Sequence, residues 1–337
     1  PQPSESAGRS PEPEDTTAPG RDVLAAAPLV PGGPHRIVLA DAESASPAWF
    51  EGARPDAVEP PGRAYFDRVV AEPRPGALPP SLASQVGREV VLYGPEGPVC
   101  RGRTGALVIV GLLHATDDEL VDHLLADRPH RFEDDGRRMR LPPPDRRRLA
   151  FAEAPKVVAA PVVDLRGDCT GALWARAADL PPPLVARPTP DPADEARQRF
   201  LDTDDFRNAL AYAVEGVPDP TRDAIVAEMR ASVRAVGWAS DDGHLFADTV
   251  TYEGDVTCGA IGPDAPVWVR RSGTPWTKLA NYTRVLAVFD AERDGRIEAL
   301  LESRFDHEGH VLLSLDPAGG TPTVRVDASV AFLGCPC

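Results

Sequence analysis

The sequence has little lysine, no excess of positive charge and no long apolar run. Lysine occurs only at Lys156 and Lys278, so arginine carries nearly all of the positive charge. The 36 basic residues are outnumbered by 52 acidic ones, which gives a net charge of −16. Nucleic-acid binding is thereby excluded as a default function, because affinity for the phosphate backbone needs clustered positive charge. The longest apolar run, Gly105 to Leu113, is much shorter than the roughly 20 residues that span a bilayer, so no transmembrane segment is predicted.

Cysteine is scarce, and its spacing excludes the commonest structural metal site. The five cysteines are Cys100, Cys169, Cys258, Cys335 and Cys337. No Cys-x-x-Cys pair is present, and no histidine stands at zinc-ligand spacing from a cysteine pair, which argues against structural zinc.

The first 34 residues contain few large apolar side chains and many Pro, Ser, Glu and Gly residues. Such a segment cannot bury enough surface to offset the entropy of ordering, so we predict a disordered spacer over 1–34. A polar spacer that starts at Pro1 favours an exported chain after signal-peptide removal, or a lipoprotein with a lipid anchor upstream of Pro1. The alternatives are an arbitrary boundary and a cytosolic protein with reduced thiols.

Export would oxidise the cysteines. We expect Cys100 to pair with Cys169, and Cys258 to pair with Cys335 or Cys337. Each bridge then stays within one predicted domain, and one cysteine remains free or forms an intermolecular bond.

The rest of the chain divides into two predicted domains of an α+β fold. Short β-rich runs such as Arg88 to Tyr93, Ala106 to Leu113 and Lys156 to Val163 indicate a β-rich first domain over 35–180. Six prolines between Leu180 and Asp194 indicate a semi-rigid linker over 181–194.

The second domain, 195–337, is predicted as N-terminal helices followed by an antiparallel sheet. Apolar spacing predicts a helix or a bent pair of helices over Ala193 to Val214, and another helix over Thr221 to Val236. After Trp238 the pattern changes to strands separated by Gly and Asp turns.

One loop in this second domain has the composition of a calcium site. Oxygen-bearing side chains stand at its positions 1, 3, 5 and 9, a glycine stands at position 6, and the main-chain carbonyl at position 7 adds another oxygen. Hard oxygen donors of this kind suit Ca²⁺. The residues, in order, are Asp290, Glu292, Asp294, Gly295, Arg296 and Glu298.

This segment resembles the Asp-x-Asp-x-Asp-Gly-x-x-Asp/Glu loop that joins two strands in FG-GAP-type repeats and in many uncharacterised exported bacterial proteins. The resemblance covers about a dozen residues, and it implies that Asp290, Glu292, Asp294 and Glu298 are calcium ligands together with the carbonyl of Arg296. The alternative is a charged hairpin turn at Asp294-Gly295 without metal. Both interpretations predict strand, loop, strand.

Two further groups of side chains attract attention. Trp268, Trp276 and Tyr282 lie near Arg270, Arg271 and Lys278, which could form an aromatic and basic ligand face, although aromatic residues on an alternating strand are more often core. Two histidines, His307 and His310, stand beside two acids in what is more simply a surface turn.

Composition and motifs together favour an exported bacterial envelope or extracellular binding or accessory protein, stabilised by Ca²⁺ and bound to an envelope or extracellular partner. The compartment is periplasmic, outer-membrane-anchored or extracellular, and an enzyme is the less favoured class because no catalytic motif is present. The alternative is a hydrolase that uses carboxylates or the His307 and His310 turn in a cleft between the domains.

Overall fold

The computed structural model describes residues 34–40, 54–59, 66–114, 133–134, 137–138, 156–189, 194–253, 266–271, 273–281, 283–303, 307–316, 318–328 and 330–331. These residues form an α+β fold of two curled antiparallel sheets with a few helices, as the sequence predicts. The predicted spacer over 1–34 lies outside the described residues except for its last position.

The first sheet is built from the N-terminal half of the chain. Within the described residues it has eight strands in the order β10-β4-β5-β9-β6-β3-β2, and β1 also pairs with β9. Their bounds are β1 Arg36–Ala40, β2 Arg54–Glu59, β3 Phe66–Glu72, β4 Glu89–Gly94, β5 Gly97–Thr104, β6 Val108–His114, β9 Lys156–Arg166 and β10 Trp174–Ala177. A short helical turn, α1 at Pro80–Ala83, precedes β4, and β7 at Glu133–Asp134 pairs with β8 at Arg137–Arg138.

The second sheet is built from the C-terminal half. Its described strands follow the order β15-β14-β13-β12-β11-β16-β17-β18-β19, and β20 pairs with β18. Their bounds are β11 Leu184–Pro188, β12 Val233–Ser240, β13 Phe246–Tyr252, β14 Pro266–Arg270, β15 Thr277–Asn281, β16 Thr283–Asp290, β17 Ile297–Ser303, β18 His307–Leu315, β19 Thr323–Asp327 and β20 Val330–Ala331.

Three helices cover the outer face of this sheet: α2 at Asp194–Leu201, α3 at Asp204–Ala213 and α4 at Asp219–Ala231. Of the two alternatives predicted over 193–214, one helix or a bent pair, the structure has the pair, because the Thr203 hydroxyl accepts a hydrogen bond from the Phe206 N–H and thereby starts a new helix. None of these helices combines the length and the apolar character that crossing a bilayer requires, within the part of the chain that the structure describes.

The predicted helix over 221–236 is wrong in its last turn. Helix α4 ends at Ala231, and Val233 is the first residue of β12. The apolar residues at 229, 233 and 236 suit a helical period, but pairing with β13 along the whole of β12 gives the main chain of 233–239 a full ladder of partners.

The stretch 181–194, predicted as a linker, contains β11. This strand lies between β12 and β16 in the middle of the second sheet, and its Ala186 is fully buried. Residues 184–188 are therefore a paired strand instead of an exposed connection, while residues 190–193 lie outside the described residues.

The two sheets share one core where they face each other. Trp174 of β10 is fully buried and stacks between Tyr93 of β4, with ring centroids 4.3 Å apart, and Phe289 of β16, at 3.9 Å. A separate core fills the inner face of the curled second sheet, and a third lies between that sheet and the helices. Side chains on both faces of the second sheet are thus buried.

The predicted bridge between Cys100 and Cys169 is confirmed. A disulfide joins Cys100 of β5 to Cys169, just after β9, with the two Cα atoms 5.2 Å apart. Residues Cys258, Cys335 and Cys337 lie outside the described residues, so the second predicted bridge stays a prediction.

Candidate functional site

The loop between β16 and β17, residues 290–298, is called the carboxylate loop below. Strand β16 ends at Asp290 and strand β17 begins at Ile297, so the predicted order of strand, loop, strand is confirmed. Asp290 and Glu298 are buried, whereas Glu292, Asp294 and Arg296 are exposed. The five predicted ligand residues therefore divide into a buried pair and an exposed group.

Asp290 closes the carboxylate loop through main-chain hydrogen bonds. Its Oδ1 accepts from the N–H of Asp294 at 3.2 Å, and its Oδ2 accepts from the N–H of Gly295 at 2.8 Å. The turn requires a left-handed residue at Gly295, where φ is +87°, and glycine adopts this conformation without steric cost. The Asp290 side chain thus caps the turn.

Glu298 anchors the other end of the same loop. Its Oε2 accepts from the N–H of Ala291 at 3.0 Å, and its Oε1 accepts from the Ser314 hydroxyl at 3.2 Å. Burial raises the pKa of this carboxyl from 4.5 to about 7, and the negative charge of Asp290 acts in the same direction. The two hydrogen bonds and the positive charge of Arg325 lower the pKa by less than burial raises it.

The exposed members of the loop form contacts of their own. Asp294 accepts from the N–H of Arg296 at 2.9 Å, and the Arg296 guanidinium lies 3.6 Å from a carboxylate oxygen of Asp316. Across the described residues, no three acidic, histidine or cysteine side chains come together as a group that could hold a metal ion. The oxygens of the buried pair already have hydrogen-bond donors, which is the arrangement of the metal-free turn, and the calcium site stays a prediction.

A groove opens beside the carboxylate loop, at one end of the curled second sheet. Its volume is about 570 Å³, within the range of roughly 300–1,000 Å³ that small-ligand sites occupy. Its apolar lining comes from the core, and two segments far apart in sequence form its walls. The apolar residues are Val269, Ile297 and Leu315, and the walls are residues 274–278 and 316–322, in which position 317 is not described.

Arg271 connects the groove to the carboxylate loop. It follows the last residue of β14, and its Nη1 donates to the carbonyl of Gly295 at 2.6 Å while the side chain also lines the groove. The short distance fixes the guanidinium at the boundary between the two features. Arg271 therefore joins the carboxylate loop to the lining of the groove through one hydrogen bond.

Trp276 is the one aromatic side chain among the described residues that line the groove. Its indole is half-buried and also packs against the core under the helices. On that side the guanidinium of Arg270 lies 4.8 Å from the ring centroid, and the same guanidinium contacts Asp248 at 2.8 Å and Glu195 at 2.9 Å. This cation–π contact, secured by two carboxylates, restrains the indole from the side of the helices.

The charged groups of the groove are Arg271, Lys278 and Asp316. Lys278 lies 3.9 Å from Asp205 of α3, a long contact, and its side chain is 40% exposed. Among the described lining residues there is no serine, histidine, cysteine or glutamate. The groove therefore offers contact area and positive charge.

The predicted aromatic and basic face is only partly assembled. Trp276, Arg271 and Lys278 line the groove, whereas Trp268 packs against the core under the helices. Alternation along β14 explains this, because Val267 and Val269 belong to the inner core and Trp268, between them, points to the other face. Tyr282 lies outside the described residues.

Trp174 and its two stacking partners occupy part of the space between the two sheets. The alternative hydrolase interpretation stays a prediction. His310 lies within β18, opposite Glu302 of β17. The structure describes the backbone of His307 but not its side chain.

Comparison with known proteins supplies no relative: no family model, no curated protein and no solved structure matches the chain. Its function is therefore inferred from its own residues.

Proposed function

We propose that this chain is an exported binding protein, and that the groove beside the carboxylate loop is its ligand site. The observation that carries the proposal is the groove itself, with one indole and two cationic side chains in its lining. The disulfide between Cys100 and Cys169 supports export, because such bonds persist in oxidising compartments.

The lining favours a ligand that has both a flat face and negative charge. Trp276 presents aromatic surface, Arg271 and Lys278 present positive charge, and the threonine hydroxyls at 274, 277 and 321 add polar groups. A pyranose ring with a carboxylate meets each of these features, since sugar faces pack on aromatic rings and guanidinium or ammonium groups bind carboxylates. We therefore take acidic oligosaccharides as the ligand class.

Isothermal titration calorimetry of the full chain with trigalacturonate tests this proposal, with the uncharged maltotriose as the comparison ligand. We expect Trp276→Leu to weaken trigalacturonate binding about tenfold and Lys278→Gln about fivefold. Matched controls are Tyr212→Leu, which removes an exposed aromatic side chain from α3, and Lys156→Gln, which changes the other lysine of the chain.

Three results would each overturn the proposal. One is the absence of binding at millimolar trigalacturonate, another is equal affinity for maltotriose, and the third is an unchanged affinity in both groove variants. Loss of affinity in the control variants alone would place the ligand elsewhere on the molecule.

A further inference from the structure

Two arginines face each other on the first sheet, away from the groove. Arg101 of β5 and Arg166 of β9 are directly opposed across an antiparallel pair. Like charges in this arrangement destabilise a sheet. Their neighbour Arg103 lies 3.5 Å from Glu89, but the side chains of Arg101 and Arg166 have no ion-pair or hydrogen-bond partner among the residues that the structure describes.

The opposition of these arginines depends on a bulge in β9. Arg103 pairs with Val163 and Thr104 with Val162, so a regular ladder would place Leu165 opposite Arg101. The register shifts instead, and Arg166 takes that place. Asp164, inside the bulge, has a φ of +52°, a strained value for a residue other than glycine.

Gly102 of β5 allows the bulge to approach closely. A Cβ at this position would lie 2.5 Å from Cγ1 of Val162 and 3.0 Å from the carbonyl oxygen of Val163. Only glycine fits there, so both strands contribute to the geometry that brings the arginines together. Bulges often serve to re-aim a side chain at a functional position.

The arginines line a small concavity, called the arginine concavity below. Its volume is about 50 Å³, several times the roughly 10–15 Å³ that one water needs, which is room for a four-oxygen anion. Its charged lining residues are three arginines, Arg101, Arg103 and Arg166, and two acids, Glu89 and Asp164. A local excess of positive charge thus stands on a chain whose net charge is −16.

We propose that the arginine concavity is a binding site for a tetrahedral oxyanion, a phosphate or sulfate group, held between Arg101 and Arg166. The planar guanidinium group donates two parallel hydrogen bonds to such oxygens, and a bound anion removes the repulsion between the opposed arginines. The site is independent of the groove, since it lies on the other sheet and shares no residue with it.

The test uses the full chain and inorganic phosphate at low ionic strength. Calorimetry should give a dissociation constant on the order of 1 mM for the wild-type chain. Arg101→Gln and Arg166→Gln should each weaken binding about tenfold, whereas Arg222→Gln, which changes an exposed arginine of α4, should leave it unchanged. Absence of phosphate binding, or equal binding in all variants, would overturn the proposal.

Thermal unfolding provides a second readout. Phosphate should raise the melting temperature of the wild-type chain but not that of Arg166→Gln, because only the wild-type site holds the anion. Equal shifts in the two proteins would count against the proposal even if one variant expressed poorly.

A vesicle sedimentation experiment distinguishes a lipid headgroup from a free oxyanion as the ligand. Phosphatidylcholine vesicles with and without phosphatidic acid are sedimented with the wild-type chain and with the double variant Arg101→Gln, Arg166→Gln. Cosedimentation that needs both phosphatidic acid and the arginines assigns the site to a lipid headgroup. Phosphate binding without cosedimentation assigns it to a free or small-molecule oxyanion, and either result supports the site.

Discussion

The buried Glu298 should make the stability of this chain depend on pH in an unusual direction. The pKa of Glu298 is about 7 in the folded chain, against the ordinary value of 4.5 that we take for the unfolded chain. The folded chain therefore binds this proton more tightly than the unfolded chain does. The raised pKa therefore adds to the free energy of unfolding, fully below pH 4.5. This stabilisation is lost as the pH rises through the folded-state value of about 7.

The size of the effect follows from the same two values. Each pKa unit corresponds to about 1.4 kcal/mol, so the whole interval from 4.5 to 7 represents about 3 kcal/mol of unfolding free energy. Experiments near the isoelectric point of about 4.9 invite precipitation, and pH 5.5 is a safer lower limit. Between pH 5.5 and pH 8.5 we expect a loss of about 2 kcal/mol from Glu298 alone.

Urea unfolding of the wild-type chain and of Glu298→Gln at both pH values measures this loss. The glutamine keeps an oxygen for the Ala291 N–H but does not ionise, so the variant should lack about 2 kcal/mol of the wild-type pH dependence and be the more stable protein at pH 8.5. Glu292→Gln is the matched control, because it removes an exposed carboxyl of the same loop. Equal pH dependence in the wild type and Glu298→Gln would refute the reasoning.

Three further predictions concern stability. Millimolar Ca²⁺ should raise the melting temperature of the wild-type chain but not that of Asp290→Asn if the carboxylate loop binds calcium, and no shift against a Mg²⁺ control would contradict the calcium prediction. Reduction of the disulfide between Cys100 and Cys169, which are 69 residues apart, should cost about 4 kcal/mol in urea unfolding, and a loss below 1 kcal/mol would disagree. Arg270→Gln should lower the free energy of unfolding by about 2 kcal/mol, because two carboxylates and an indole lose their cation. The exposed Arg234→Gln should lower it by less than about 0.5 kcal/mol. Similar losses in the two variants would argue against a stabilising role of the Arg270 contacts.

The elements that sequence predicts well have strong local patterns. Strands β6 and β9 are continuous apolar runs, and the carboxylate loop combines alternating acids with a glycine turn, so each is evident from a few neighbouring residues. The bridge between Cys100 and Cys169 was predictable because both cysteines stand within one β-rich segment.

Elements with mixed local signals were missed. Strand β11 is only five residues long and stands among prolines that resemble a linker, yet pairing on both sides makes it a central strand. Strand β12 has valines at helical spacing from Met229, and its true state is set by pairing with β13. In both cases pairing with a neighbouring strand determines the secondary structure, and the local sequence pattern does not indicate that pairing.

The groove could not be predicted as a unit. Trp276 and Lys278 belong to one wall, and residues 316–322 of the other wall lie about forty positions later in the chain. Only the curl of the sheet brings these walls together. The arginine concavity depends in the same way on a bulge, which shifts Arg166 by one residue relative to the regular ladder.

The two lysines of the chain give the most direct test of the ligand site. Reductive methylation with ¹³C-formaldehyde labels both ammonium groups and keeps their charge, so Lys278 in the groove and Lys156 on the first sheet each give a resolved NMR signal. Titration with trigalacturonate should move the Lys278 signal in a saturable way and leave that of Lys156 in place. An unmoved Lys278 signal at millimolar trigalacturonate, or a shift of Lys156 instead, would contradict a ligand site in the groove.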